Sequence, residues 1–466
     1  MNPGWLVLLA DSAGSSGDKP WLPMIVLGAI MTVTYFFIAF EWLHKSLAAM
    51  LGAIAAVAAA MAFGVFREEG GHTPYDRAVH DIIGHDIGVI GVLVGTSVLV
   101  DVASRSGLFH FLAIKLVKQT RGDPLRLHTF IAIATVLFVT FLTITPGTLI
   151  MVSLVLVVTR ELELDPKPYV LTVAICANSG ALMTFASGIC TLMLGTAGNL
   201  PYMHFFRVST PMAILSAILA TIYLRRFYRS SLDVPGDPEE RARKVAAFDE
   251  WALVKDRGLF YRCAFILGGT IVGFASAQQL GVGIDFIAFC GGTAALLLSG
   301  YSTDEAIKKV NWSVVLFFVG LFVIIGSVQE SGLLDWQARQ MIALAGGSPV
   351  VTMLLVATFV LALSGIVDNI PVAATLIPIV RAMEQQGIPA EPLWWALVLA
   401  ANLGGNSTPV GSISSVIALH ALEKERGVKV SWGEYLKVGG MITVLQTVLV
   451  LIYLSLFAYF DLFPTR

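Results

Sequence analysis

One carboxylate in this sequence draws attention by its position. Asp368 interrupts an apolar run, and an isolated ionisable group at membrane depth is costly enough to be a functional candidate by default. With Asn369 beside it and Pro371 close behind, it forms one of four polar interruptions in apolar stretches. The second runs from Thr143 to Thr148 and includes Thr145, Pro146 and Gly147. The third runs from Asn178-Ser179-Gly180 through Thr184 to Ser187-Gly188, and the fourth from Asn402 through Asn406, Ser407 and Thr408 to Pro409. Gly and Pro open a helix, and Asn, Ser and Thr then offer oxygens and amides beside the freed backbone. Helix N-termini can hold an anion, and unwound carbonyls can hold a cation. A kinked packing helix, its Ser and Thr bonded to their own backbone, accounts for one such break. Four breaks at related positions point instead to a site for a small ion. The candidate ligands are Asp368, Asn369, Thr143, Thr145, Asn178, Ser179, Thr184, Ser187, Asn402, Asn406, Ser407, Thr408 and Ser412, with Asp368 and Asn369 as a candidate sodium site.

The other polar groups read more plainly. Asp101 lies close to Arg105 and suits an interfacial salt bridge. His72, His80 and His85, with Asp76, Asp81 and Asp86, read as a solvated outer loop in preference to a metal site. His128 opens an apolar arm, where proton relay, capping and interface placement all remain open. Cys176, Cys190, Cys263 and Cys290 make no CxxC pair and suit small apolar packing. There is no HExxH, GxSxG, P-loop or pair of intramembrane aspartates, so an enzyme or an ATP-driven pump within this chain is not expected. No Lys/Arg block resembles a nucleic-acid surface, and no cofactor is expected beyond sodium or a proton as coupling ion.

The elements that must position these residues are apolar helices. The chain is 56% hydrophobic and 13% charged, against about 25% charged in soluble proteins. Uncharged runs such as Trp21 to Phe40 and Ser46 to Phe66 recur from end to end, and about 20 apolar residues span a bilayer as a helix. Continuous rather than alternating runs exclude a β-barrel. Full spans are expected near 21–40, 46–66, 86–104, 168–197 and 209–226, then 259–279, 284–300, 312–330, 392–422 and 438–459. Two further apolar stretches turn back on themselves, Leu127 to Val158 at Thr145-Pro146-Gly147 and Val350 to Val380 at Asp368 to Pro371. Each arm reads as too short to cross, which predicts two re-entrant hairpins, tolerated only where protein or a water-filled cavity covers the broken backbone.

The halves repeat. Ser106-Gly107-Leu108 recurs as Ser331-Gly332-Leu333, Pro146 as Pro371, and Ala177-Asn178 with Gly180 as Ala401-Asn402 with Gly404. The expected organisation is an external segment 1–20 with no cleaved leader, a first repeat 21–226, a solvated cytoplasmic linker 227–258, a second repeat 259–460 and a tail 461–466. Charge argues for inversion. This arrangement puts every Lys and Arg on one side except Lys19, Arg67, Arg77, Arg207, Arg339, Arg381 and Arg466, and the rich side is cytoplasmic. The segment after Ser106 carries Lys115, Lys118, Arg121 and Arg126, whereas its counterpart after Ser331 carries Arg339 alone. The fold expected is all-α and polytopic: two inverted repeats of five transmembrane helices, each with a re-entrant hairpin and a broken helix, in a bacterial inner membrane. Inverted repeats with broken helices are a signature of secondary transporters.

At these residues the chain resembles a known group. VDNIPVAATLIPIV (367–380) and ANLGGNSTPVGSISSVIALHALEKERG (401–427) resemble the ion transporter superfamily, which includes NhaD-type sodium/proton antiporters, ArsB-type arsenite permeases and the pink-eyed dilution P protein. FEWLHKSLAAMLGAIAA (40–56) is similar to the P-protein and ArsB side, and ANSGALMTFASGICTLM (177–193) to the NhaD side. The resemblance implies two hairpins entering from opposite faces, a substrate site between their tips and the broken helices, moving scaffold and transport parts, and homodimers. This chain departs from it at Thr143-Ile144, where relatives often have Asp-Asn, and at Gly188, where they often have an acid. Two functions compete: an NhaD-like cation/proton antiporter, favoured by Asp368-Asn369, and an ArsB-like oxyanion or anion permease, favoured by the missing acids and the helix ends. Either works by alternating access on a small ion substrate.

Overall fold

The structure is a computed structural model that describes residues 21–39, 42–66, 73, 75–76, 82–185 and 187–464. Among them there are helices and no strand. The segment 1–20, His72, His80, Asp81, Lys19, Arg67, Arg77 and Arg466 lie outside the described residues, as do the side chains of His85 and Asp86.

In chain order the first half holds α1 (Trp21–Ala39), α2 (Lys45–Ala62), α3 (Ile82–Arg105), α4 (Leu108–Gln119), α5 (Pro124–Leu142), α6 (Ile144–Glu161), α7 (Pro166–Gly180), α8 (Ile189–Ala197) and α9 (Tyr202–Phe227). Two short linker helices follow, α10 (Arg229–Leu232) and α11 (Pro238–Ala246). The second half holds α12 (Arg257–Leu280), α13 (Ile284–Ser299), α14 (Thr303–Lys309), α15 (Trp312–Ser331), α16 (Leu333–Leu344), α17 (Pro349–Ser364), α18 (Asn369–Gln385), α19 (Ala390–Gly404), α20 (Ile413–Arg426), α21 (Trp432–Tyr435) and α22 (Met441–Tyr459). Among the described residues nine helices are long and apolar enough to cross a membrane. The chain is an all-α polytopic membrane protein.

Helix boundaries recur at the spacing of the sequence motifs. α4 and α16 each have 12 residues and start at Leu108 and Leu333. Each follows a glycine in the left-handed region, Gly107 at φ 80° and Gly332 at φ 86°, where a Cβ would be strained. The serine before each glycine accepts from the following leucine N–H, at 3.3 Å in both copies. α7 and α19 each have 15 residues, starting at Pro166 and Ala390. α6 and α18 start at Ile144 and Asn369, and α8 and α20 at Ile189 and Ile413.

The hairpin arms differ from expectation. α5 and α6 have 19 and 18 residues and pass the length and composition test for crossing a membrane. They are longer than the apolar run suggested because Asp123 caps the Arg126 N–H ahead of Pro124, and because α6 continues to Glu161. α17 and α18 have 16 and 17 residues.

The chain divides into two compact units, each drawing on both halves. One comprises the described residues within 1–90, together with 311–348 and 374–390. Its centre is α2 packed on α1 and α15. The small residues Ala49, Ala53, Ala56 and Ala60 of α2 are buried, and Gly320 of α15 lies against the backbone of Ala49, where any Cβ would collide. Such stripes let helix backbones approach closely in lipid.

The other unit comprises 91–310, 349–373 and 391–466. α7 lies at its centre against α5, α6, α9 and α20, and nearly every side chain of α7 is buried. The linker, expected to be solvated, packs in part on this unit. Leu232 and Val245 are buried, Trp251 packs at a tilt against Phe111 and Phe260, and Lys118 pairs with Glu250. Its apolar residues, hidden in the sequence by surrounding charges, make that contact. Asp101 and Arg105 form the expected salt bridge at 2.9 Å.

Candidate functional site

The site is built from four chain interruptions in the second unit. The first is a turn of one residue. α5 ends at Leu142, α6 starts at Ile144, and Thr143 between them has φ 69° and ψ 170°. A β-branched residue at positive φ is a genuine outlier, and such strain costs on the order of 1–3 kcal/mol. Thr143 makes no side-chain cap bond to α6.

At the second interruption, α7 stops at Gly180 and α8 begins after Gly188. The carbonyls freed there are taken by hydroxyls. Ala181 O accepts from Ser187 Oγ and Thr191 Oγ1, both at 2.7 Å. Leu182 O accepts from Ser209 and Met183 O from Thr210, both at 2.6 Å. Thr184 O accepts from Ser187 at 2.6 Å, and Thr184 N–H donates back to Ser187 Oγ at 3.2 Å. Several of the unwound carbonyls thus already accept a hydroxyl, the single Ser187 proton being shared between two of them. The start of α8 differs: Gly188 supplies no side-chain cap, and the first N–H groups of a helix have no intrahelical partner.

The third interruption precedes α18, with Asp368 buried just before it. The fourth separates α19 from α20, where Ser412 accepts the Ser414 N–H as a cap. Thr408 Oγ1 donates to Gly365 O at 2.8 Å, and half-buried Ser407 lies beside Gly365.

These four helix starts meet at one cavity of about 30 Å³, lined by Thr143, Ile144 and Thr145, by Gly188, Ile189 and Cys190, by Asn369 and Ile370, and by Asn402 and Ile413. That volume holds about two waters. Each of α6, α8, α18 and α20 contributes an isoleucine from its first turn, and no Lys, Arg, His, Asp or Glu is among the lining residues. Asn402 Nδ2 donates to Thr191 Oγ1 at 3.2 Å, and its Oδ1 lies 3.5 Å from Asn369 Nδ2. Thr143 and Thr184 also line a second cavity of similar size, with Thr96, Thr140, Tyr202 and Thr270.

Of the residues expected at the site, Thr143, Thr145, Asn369 and Asn402 line the first cavity, and Thr184 lines the second. Asn178, Ser179, Asn406 and Ser412 lie elsewhere, in a buried hydrogen-bonded group. Ser187, Ser407 and Thr408 are not among the lining residues of either cavity, and neither is Asp368. Sequence reasoning missed the cavity residues Ile189, Cys190, Ile370 and Ile413, which carry no polar signal. It also missed Gln446, a lone amide inside an apolar helix, which the scarcity of intramembrane polar groups could have flagged. His128 is fully buried; because Thr172 Oγ1 donates to Pro168 O, His128 Nε2 donates to that hydroxyl at 2.8 Å.

A bundle of membrane-crossing helices whose interrupted segments line a small, mainly apolar cavity edged by threonine and asparagine has the form of a membrane transporter. The profile of the citrate transporter family matches residues 35–400, and the chain belongs to that family. It is 29% identical over 435 residues to an uncharacterised transporter of Mycobacterium tuberculosis (strain ATCC 25618 / H37Rv), covering 93% of this chain and 98% of that one. It is 25% identical over 506 residues to the P protein of Mus musculus, covering 91% of this chain and 59% of that protein. The solved structure of the YdaH transporter of Alcanivorax borkumensis shares the fold, with a TM-score of 0.62 at 15% identity over 90% of this chain and 99% of that one.

Proposed function

We propose that the protein is a secondary active permease for a small anion or oxyacid, working by alternating access with a proton or sodium ion as coupling ion. One observation carries this: four helix N-termini converge on a cavity that no charged side chain lines. Partial positive charge at those ends, with no side-chain cap at the starts of α6 and α8, favours negative charge or acceptor oxygens. Several carbonyls freed between α7 and α8, of the kind a cation would use, already accept hydroxyls from Ser187, Thr191, Ser209 and Thr210. A further part of the reading is that the repeats are inverted, that the hairpins re-enter from opposite faces, and that a homodimer sits in a bacterial inner membrane.

Cation/proton antiport is the second reading, and Asp368 favours it, because this buried carboxylate directly precedes Asn369 of the cavity. Uptake into proteoliposomes separates the two. Arsenite, phosphate, sulfate, citrate and sodium are offered under an imposed pH gradient. Uptake of one of the three small oxyacids, with citrate excluded, is the expected result. Sodium-driven proton movement with no oxyacid uptake overturns the anion reading, and its loss in Asp368→Asn then assigns the cation to that carboxylate.

A further inference from the structure

Behind the cavity a closed chain of hydrogen bonds joins both helix breaks through two residues outside either break. Asn178 Nδ2 donates to Asn406 Oδ1 at 2.7 Å. Asn406 Nδ2 donates to Gln446 Oε1 at 3.0 Å, and Gln446 Nε2 donates to Ser216 Oγ at 2.7 Å. Ser216 Oγ meets Ser179 Oγ at 3.0 Å, and Ser179 follows Asn178 in the chain, which closes the ring. All five residues are fully buried. The ring is also tied to the cavity: Ser412, which caps the start of α20, donates to Asn178 Oδ1 at 2.8 Å, and Ile413 beside it lines the cavity.

The backbone ahead of Gln446 is shaped for this contact. Residues Leu436–Gly440 form a π-helical turn just before α22, a departure from α-geometry found often at functional sites. The turn brings Gly439 against the Asn406 carbonyl so closely that a Cβ there would collide. Two independent features, a backbone distortion and a side-chain amide, therefore converge on Asn406. An amide inside a membrane helix has a high cost if unpaired, and here its acceptor is used on Asn406 of one break and its donor on Ser216, which meets Ser179 of the other.

We propose that Gln446, seconded by Ser216, is a positioning residue. It touches no substrate; it holds the two broken segments in register so that the starts of α8 and α20 face one cavity. The proposal rests on the cavity being the substrate site, and its test reads the cavity without needing a substrate. In protein whose only cysteine is Cys190, a cavity residue, the rate of labelling by methyl methanethiosulfonate is measured in detergent and in proteoliposomes. Gln446→Leu should speed labelling about tenfold, and Ser216→Ala about threefold. With Gln446→Leu already present, Ser216→Ala should add little, because the two act in one ring. Val450→Ala, a cavity-forming change one turn along the same helix, controls for general loosening and should leave the rate within twofold. Unchanged labelling in Gln446→Leu, or equal acceleration in Val450→Ala, overturns the proposal. Should Gln446→Leu fail to fold, Ser216→Ala alone decides, and a wild-type rate overturns it. If one of the oxyacids is transported, Gln446→Leu should also raise its KM at least fivefold with Vmax within twofold. Failure of every oxyacid to be transported counts against the function, not against the ring.

Discussion

Asn178 and Asn406 lie 228 residues apart in the chain and share a 2.7 Å hydrogen bond with neither side chain exposed. The bond joins the end of the first broken helix to the break of the second, so each half completes the other. Replacing either residue by leucine leaves one buried atom of its partner without that bond, Asn406 Oδ1 or Asn178 Nδ2, at a cost of about 1–3 kcal/mol. Asn178→Leu and Asn406→Leu should each lower the apparent melting temperature in detergent. The double variant should lose less than the sum of the two, because the second change removes an amide already without its partner. Additive losses would show that the two asparagines act independently.

Thr143 makes a second prediction available. Its positive φ is strained for threonine and ordinary for glycine. Thr143→Gly relieves that strain and gives back part of the gain as backbone entropy. The expected net effect is a stabilisation of up to about 1 kcal/mol, read as an equal or higher melting temperature. Oxyacid transport should fall, since the glycine loosens a turn that lines both cavities. A clear drop in melting temperature would mean that the threonine side chain holds the turn together.

Much of this architecture was legible in the sequence because membrane helices announce themselves by length and composition. Gly107 and Gly332, at the same place in both copies, mark left-handed turns that few other residues tolerate. Asn402 and Asn369 were readable as cavity residues because polar groups in apolar runs need a reason. The cavity's character was not readable. It depends on which carbonyls the hydroxyls of Ser187, Ser209 and Thr210 had already taken, and spacing along the chain does not report that. The isoleucines were silent for the opposite reason, since an apolar side chain in an apolar protein carries no mark. The linker misled because its charges outnumber Leu232, Val245 and Trp251, which nevertheless dock.

That docking has a pH dependence. The Glu250 carboxyl is held below its usual range, first by the hydrogen bond from Lys118. A depressed carboxylate pKa stabilises the docked form above the unfolded value near 4.3, and the contribution is lost as pH falls through the lower, folded value. Both side chains are partly open to solvent, so the effect is small and salt-sensitive. Glu250→Gln at pH 7 should speed tryptic cleavage at Lys255 and Arg257, and added salt should narrow the difference from wild type. Equal cleavage rates at low salt would remove the ion pair from the account of docking.

The proposed inversion of the repeats gives the last prediction. Helix boundaries recur through both halves, with α4 matching α16 and α7 matching α19 in length. Yet the matched segments differ in charge. α4 carries Lys115 and Lys118 with Arg121 and Arg126 just beyond it, while α16 carries Arg339 alone. Equivalent segments on the same face would be expected to share charge character, because Lys and Arg are retained on the cytoplasmic side. Opposite character therefore argues for opposite faces, with the 227–258 linker cytoplasmic and residue 348 external. In protein lacking Cys176, Cys190, Cys263 and Cys290, cysteines at Ser230 and Ser348 are labelled in whole cells with a membrane-impermeant maleimide. Ser348→Cys should react from outside and Ser230→Cys only after the membrane is opened. Reaction of both from the same side would mean that the repeats run parallel, and the charge difference between α4 and α16 would need another cause.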